Sequence, residues 1–114
     1  MQYLLLIYGD ETQGRDWKSP EMKAELERYR AFREEFGHVI KGGNPLQPTA
    51  TAKTVRLREG RTLVTDGPFA ETKEQLGGYI LIEADNAEAA AAIAAKVPGA
   101  RLGSIEVRPV RPPV

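Results

Sequence analysis

The chain has 114 residues and no cysteine, and 16 basic side chains balance 16 acidic ones. This length fits one domain, residues 1–114, whose core is large enough to be stable without crosslinks or a cofactor. The lack of cysteine excludes disulfides, thiolate nucleophiles and cysteine metal sites. A formal charge of zero argues against binding to a nucleic-acid backbone, because nucleic-acid binders usually carry a basic excess on one face.

The first element is a continuous apolar segment over residues 3–8. It predicts a strand covered on both faces, at the centre of a sheet. The segment is far shorter than the ~18 residues that span a bilayer and has no basic stretch before it, so we predict a cytoplasmic protein without a membrane partner. A helix is then expected from the N-cap Ser19 to a stop at Gly37. Its predicted apolar stripe comprises Met22, Leu26, Tyr29, Phe32 and Phe36.

Turn-forming residues dominate the next part of the chain. A short second strand is predicted at 38–41, and the sequence GGNP that follows it predicts a loop over 42–52. Two alternating segments, 54–58 and 61–65, then flank a Glu-Gly pair where a tight turn needs positive φ. The middle of the chain is therefore predicted to be an inserted β-hairpin.

The last third repeats the order of the first. One or two turns of helix are expected at 71–75, and a buried strand at 79–83. The next helix is rich in alanine and takes its N-cap from Asp85 or Asn86. An alternating, half-exposed strand at 104–108 closes the domain.

This order of elements predicts an α+β fold of the ferredoxin-like kind, in which two split βαβ units carry an inserted hairpin. Both helices would cover one face of the sheet. Because residues 3–8 and 79–82 are apolar at every position, the other face would leave a larger apolar patch in water than monomers tolerate. We therefore expect a homodimer, in which a second copy covers that face.

The segment Asp66-Gly67-Pro68-Phe69 and the residues after it resemble the DGPF-motif branch of the YCII-related family. The resemblance extends over nearly the whole chain and implies a dimeric α+β barrel with a pocket beside the sheet. Some YCII-type relatives are lyase-like enzymes with a His and Asp pair. DGPF-type members are often encoded beside extracytoplasmic-function sigma factors, which implies a regulatory setting. The family's histidine lies in the first helix, whereas the matching stretch here, 23–27, contains none.

Asp66 is the first candidate for a functional residue, with two interpretations open. Its carboxylate caps the turn that follows, or it acts as a catalytic or ligand-binding group together with Glu71 and Lys73. His38 is the only side chain whose ordinary pKa lies near neutrality, which makes it the alternative general base and otherwise a surface residue. Phe69 is expected to be a buried anchor for the turn.

Tyr8, Asp10 and Tyr79 are the second set of candidates. The first two lie at the end of the first strand, and Tyr79 begins the strand expected beside it. Their polar groups would then line one ligand-binding cavity, unless the tyrosines are core residues with hydroxyls at the rim. The sequence contains no zinc motif and no phosphate-binding loop, so no metal, cofactor or nucleotide is expected.

Two functions remain open on these residues, beside a third possibility, a purely structural dimer. The first is a non-catalytic homodimer that binds a small molecule or a partner protein in a sigma-factor-linked regulatory setting. The second is a lyase- or isomerase-like enzyme in which Asp66 moves a proton. The sequence does not decide whether the protein is an enzyme.

Overall fold

The computed structural model describes residues 1–13 and 18–113. Two short 3₁₀ turns, Thr49–Thr51 and Pro98–Arg101, accompany the regular elements. In chain order these elements are β1 (Gln2–Gly9), α1 (Pro20–Phe36), β2 (Ile40–Pro45), β3 (Lys53–Arg58), β4 (Arg61–Asp66), β5 (Gln75–Glu83), α2 (Ala87–Ala94) and β6 (Ser104–Pro109).

Four strands form one sheet in the order β2-β5-β1-β6, and all neighbours in it are antiparallel. The predicted α+β class and the central place of β1 are confirmed. Side chains on alternate positions of the strands pack against the helices, as Tyr3, Leu5 and Ile82 do. The helices and the segment after α2 contribute Phe32, Ala90, Ala94 and Val97 to the same core. Both helices therefore cover one face of the sheet.

Helix α1 begins as predicted, because the hydroxyl of Ser19 accepts a hydrogen bond from the backbone N–H of Met22 at 3.1 Å. The predicted apolar stripe is wrong at one position: Leu26 is exposed, whereas Glu25 is buried. Gly37 follows the last helical residue but keeps right-handed helical backbone angles, so it is not a left-handed stop. The helix ends there without the expected glycine motif.

The prediction for the second strand is wrong in its position. Residues 37–39 form a turn, and β2 includes the GGNP sequence that was expected to form a loop. At Gly43 the backbone of β5 comes so close that a Cβ atom would lie 2.6 Å from the carbonyl oxygen of Tyr79. The glycines thus allow a close approach of two strands here, and a register shift between Ile40 and Gly42 adjusts the pairing.

The segment before β5 also differs from the prediction, since residues 71–74 form no helix and β5 already begins at Gln75. The Thr72 hydroxyl donates to the carbonyl of Glu74 at 2.7 Å, which favours a local turn over a helix. Of the two candidate caps for α2, the structure selects Asn86, whose side-chain oxygen accepts from the N–H of Ala89 at 2.8 Å.

The hairpin of β3 and β4 forms as predicted, with Glu59 and Gly60 at φ 51° and 76° in its two-residue turn. We call residues 53–66 the arm. It is a separate two-stranded sheet and does not pack on the four-stranded one. The protein is a slab with principal dimensions of 48 × 44 × 20 Å. Its radius of gyration is 16.1 Å, above the about 13 Å of a compact domain of this length, because the arm projects outward.

Candidate functional site

The face of the sheet opposite the helices is apolar at its centre, on β1 and β5, whereas β6 adds Ser104, Glu106 and Arg108 along one edge. Three cross-strand pairs from β1 and β5 share it, since residues directly opposite each other point to the same side. These pairs are Leu4 with Leu81, Leu6 with Tyr79, and Tyr8 with Leu76. All six side chains are only partly buried, and we call this surface the open face. The protein is 20 Å thick in its shortest dimension, which is the thickness of one sheet and one layer of helices. No further helix or strand of the described chain therefore packs over the open face.

Tyr8 and Tyr79 both lie on the open face, and the prediction that their strands are neighbours is confirmed. The Tyr79 hydroxyl accepts a hydrogen bond from the side-chain amide of Asn44 at 3.2 Å. Neither tyrosine is a core residue, in contrast to Tyr3, which is buried against the helices. The open face thus presents two phenol groups within an otherwise aliphatic surface, which suits a flat ligand with a few polar atoms.

Polar residues form a rim where β1 ends and β5 begins. Asp10 accepts hydrogen bonds from the N–H and the hydroxyl of Thr12 at 2.9 and 2.6 Å. Both bonds lower the pKa of Asp10 below its ordinary value, and the hydroxyl has the larger effect. The Glu11 carboxylate accepts from the N–H and the hydroxyl of Thr49, each at 2.7 Å. These bonds attach the segment that leads into the arm to the end of β1, while Asp10 orders its own turn.

Asp66 lies at the base of the arm and forms a salt bridge with Lys53 on the opposite strand. Its side chain is 83% exposed. The carboxylate therefore pairs with a lysine, and the following turn is held by the Thr54 hydroxyl, which donates to the carbonyl of Gly67 at 2.8 Å. The interpretation of Asp66 as a turn cap is not supported by this geometry.

The remaining predicted residues are exposed to solvent. His38 lies in the exposed turn after α1, and Glu71 and Lys73 lie in the exposed segment before β5. No hydrogen bond or ion pair within the described ranges joins His38 to Asp66. The prediction that Phe69 is a buried anchor is wrong, because this side chain is 80% exposed. Asp66 and Phe69 are thus surface groups in a single subunit.

Two clefts lie on the helix side, where the sequence indicated no site. One, of about 160 Å³, runs along the glycines of β2 and β5 beneath Tyr29 and Arg33 of α1. The other, of about 400 Å³, contains Glu25, Arg28 and Arg101. Glu25 lies outside the apolar stripe that the sequence predicted for α1, yet it is buried. Its place in the 22, 25, 29, 32, 36 spacing of the buried stripe was the signal that could have revealed its burial.

Within residues 1–13 and 18–113, no three His, Cys, Asp or Glu residues cluster as they would around a metal ion. Neither helix of the described chain is long and apolar enough to cross a membrane.

The fold and the open face define a small α+β domain with one helix-covered and one uncovered sheet surface. The chain belongs to the YCII-related family, whose domain model matches residues 1–113. It is 38% identical over 114 residues to an uncharacterized protein of Rhizobium meliloti (strain 1021). The alignment covers 96% of this chain and 92% of that protein. The predicted membership in the YCII-related family is confirmed.

A solved structure with a similar fold is the 5-chloro-2-hydroxyhydroquinone dehydrochlorinase of Burkholderia phenoliruptrix AC1100, in complex with 2,5-dihydroxybenzoquinone. The TM-score is 0.53, and the match covers 97% of this chain and 94% of that one at 14% sequence identity. At this identity the likeness concerns the fold.

Proposed function

We propose that this protein is a cytoplasmic homodimer that binds a small, flat, partly polar molecule between the open faces of its two subunits. The observation that carries the proposal is the open face itself, an aliphatic surface with the hydroxyls of Tyr8 and Tyr79. Two such faces brought together as a dimeric α+β barrel would enclose a space with the composition of a ligand site, apolar walls and a few polar groups.

A regulatory role is the version of this proposal that we favour. Its support is the likeness of residues 66–69 to the DGPF branch, whose members are often encoded beside extracytoplasmic-function sigma factors. The chemistry of the described residues is in keeping with it, because Asp66 is exposed and paired with Lys53, and His38 contacts neither of them. In this role the bound small molecule or partner protein would act as a signal and would dissociate without being chemically converted.

Binding of 2,5-dihydroxybenzoquinone, measured by isothermal titration calorimetry, tests the ligand site. The probe is chosen because it is flat, carries oxygens at opposite edges and occupies a protein of the same fold. We expect Tyr8→Phe and Tyr79→Phe each to weaken binding about fivefold, since a net hydrogen bond contributes about 1 kcal/mol. Tyr3→Phe is the control, because its hydroxyl lies on the helix side. Equal affinity in all four proteins would contradict the proposal.

The alternative is a lyase- or isomerase-like enzyme that uses Asp66 as its acid or base. It is favoured by the activity of the structurally similar protein, which is a dehydrochlorinase. In a single subunit Asp66 is exposed to water, so this alternative requires the partner to enclose it. Incubation of the dimer with hydroxyquinone and hydroquinone substrates, followed by NMR, separates the two functions. Turnover that Asp66→Asn abolishes would establish the enzyme and overturn the regulatory proposal.

A further inference from the structure

The arm is amphipathic, although no part of its own subunit covers it. Cross-strand pairing places Val55 opposite Val64 and Leu57 opposite Thr62, so these four share one face, which we call the apolar face of the arm. The three large apolar side chains on it are 55–66% exposed. The other face carries Arg56, Arg58 and Arg61 around Leu63. Strands with this alternation are stable when the apolar side is packed against another surface.

The open face is a surface on which the apolar face of an arm could pack. It is apolar, and within the described ranges neither the helices nor the arm of the same chain cover it. A single molecule therefore has two unpaired apolar surfaces, one flat and one projecting. These two surfaces do not meet within one subunit, because the arm is a separate sheet that does not pack on the four-stranded one.

Charge adds a second complementarity. The arm carries four cations against two acids, and none of its three arginines forms an ion pair with a described residue. The described segments that adjoin this rim, residues 10–13 and 71–74, carry four carboxylates, those of Asp10, Glu11, Glu71 and Glu74, and one cation, Lys73. These carboxylates form no salt bridge within residues 1–13 and 18–113. An arm from another subunit would bring positive charge to this rim.

We propose that the arm of each subunit packs its apolar face on the open face of a second copy of this chain, and that the candidate site is complete only with the partner's arm. The exchange is reciprocal, as two-fold symmetry requires, so each arm residue contributes twice to one dimer. This inference rests on the proposed homodimer. It adds that the arm is the segment of the partner that closes the ligand-binding space. The partner's arm then supplies the covering that the exposed tyrosines lack.

Photocrosslinking tests the position of the arm, because the chain has no cysteine of its own. The variant Leu57→Cys is labelled with a benzophenone maleimide at natural isotope abundance and mixed with ¹⁵N-labelled unmodified chain. After subunit exchange and irradiation, mass spectrometry should show light arm peptides joined to heavy peptides from residues 2–9 or 75–83. Arg30→Cys, on the exposed side of α1, is the control and should give no such pairs. Crosslinks confined to the light chain would overturn the proposal.

Sedimentation equilibrium provides the second measurement. We expect Leu57→Asn/Val64→Asn to raise the dimer dissociation constant by on the order of 100-fold or more, since both side chains lose apolar contacts twice per dimer. Thr65→Asn is the matched control, because it is adjacent to Val64 but lies on the opposite face. Dimers that persist unchanged in the double variant would overturn the arm inference alone. Unmodified chain that stays monomeric would overturn the dimer as well.

Discussion

Glu25 is the single charged residue that the fold buries within the described ranges, with 7% of its surface exposed. One carboxylate oxygen, Oε2, accepts a hydrogen bond from Arg101 at 2.9 Å and lies 3.5 Å from Arg28. The other oxygen, Oε1, is buried without a hydrogen-bond partner among the described residues. A carboxylate in this setting depends on its arginines, because a buried charge without a partner is costly. The interaction also attaches α1 to the turn that precedes β6.

Removal of the Arg101 guanidinium should therefore destabilise the protein more than removal of a surface arginine. We expect Arg101→Ala to lower the free energy of unfolding by about 1–2 kcal/mol, less than for a fully buried pair because Arg101 is half exposed. Arg30→Ala should cost less than Arg101→Ala, since its partners Glu27 and Glu34 are exposed. Urea unfolding of the two variants checks both expectations.

A double-mutant cycle distinguishes the charge effect from lost packing. If the buried charge is the cause, Glu25→Gln should reduce the penalty of Arg101→Ala, because the neutral amide no longer needs the cation. Additive penalties would show that Arg101 stabilises the fold by contacts other than the one to Glu25.

At the scale of an element, β2 forms a strand although glycine has a low propensity for β-structure. Its central positions are Gly42 and Gly43, which lack the side chains that normally stabilise strands. Pairing with β5 compensates, and at Gly43 the two backbones approach too closely for any Cβ atom. Gly42, one residue earlier, has no atom within 4 Å of the corresponding position. The two glycines thus have different reasons to be there.

This difference can be measured with a matched pair of substitutions. Gly43→Ala should lower the free energy of unfolding by roughly 2–3 kcal/mol, since β2 must move away from Tyr79 or the backbone must adopt a strained conformation. Gly42→Ala should be neutral or stabilise by up to about 1 kcal/mol, because it reduces the entropy of the unfolded chain without a clash. Thermal unfolding monitored by circular dichroism compares them. Equal losses would mean that both positions need glycine for its flexibility.

At the scale of the whole molecule, the division of the sheet into a covered and an open face is the feature with the largest consequence. The helices bury Tyr3, Leu5 and Ile82, while the leucines and tyrosines of the open face remain accessible. The arm adds exposed apolar side chains beyond the edge of this sheet. A molecule with so much accessible apolar surface is expected to associate with its own kind.

Leu81 lies near the middle of the open face, so a charge there should prevent association. We expect Leu81→Arg to convert a dimer into a monomer at micromolar concentration, because each dimer would bury two unpaired cations. Lys23→Arg on α1 is the control and should leave the dimer intact. Light scattering after size-exclusion chromatography measures both masses. A Leu81→Arg protein that remains dimeric would show that the open face is not the interface.

The sequence by itself determined the elements whose signals are local. Alternation and continuous apolar character identified β1, β5 and the arm, Ser19 marked the start of α1, and the Glu-Gly pair marked the hairpin turn. The order of these elements was enough to predict the α+β class. It also placed Tyr8 and Tyr79 on neighbouring strands, which is the part of the candidate site that sequence reasoning obtained.

The tertiary structure alone decided the features that depend on distant partners. The GGNP segment became a strand because β5 offers a backbone to pair with, and Glu25 became buried because Arg101, 76 residues away, neutralises it. Phe69 and the arm stay exposed because the slab provides no surface within reach to cover them. Local patterns specify which backbone conformation a segment prefers, whereas burial depends on what the rest of the chain brings to that segment.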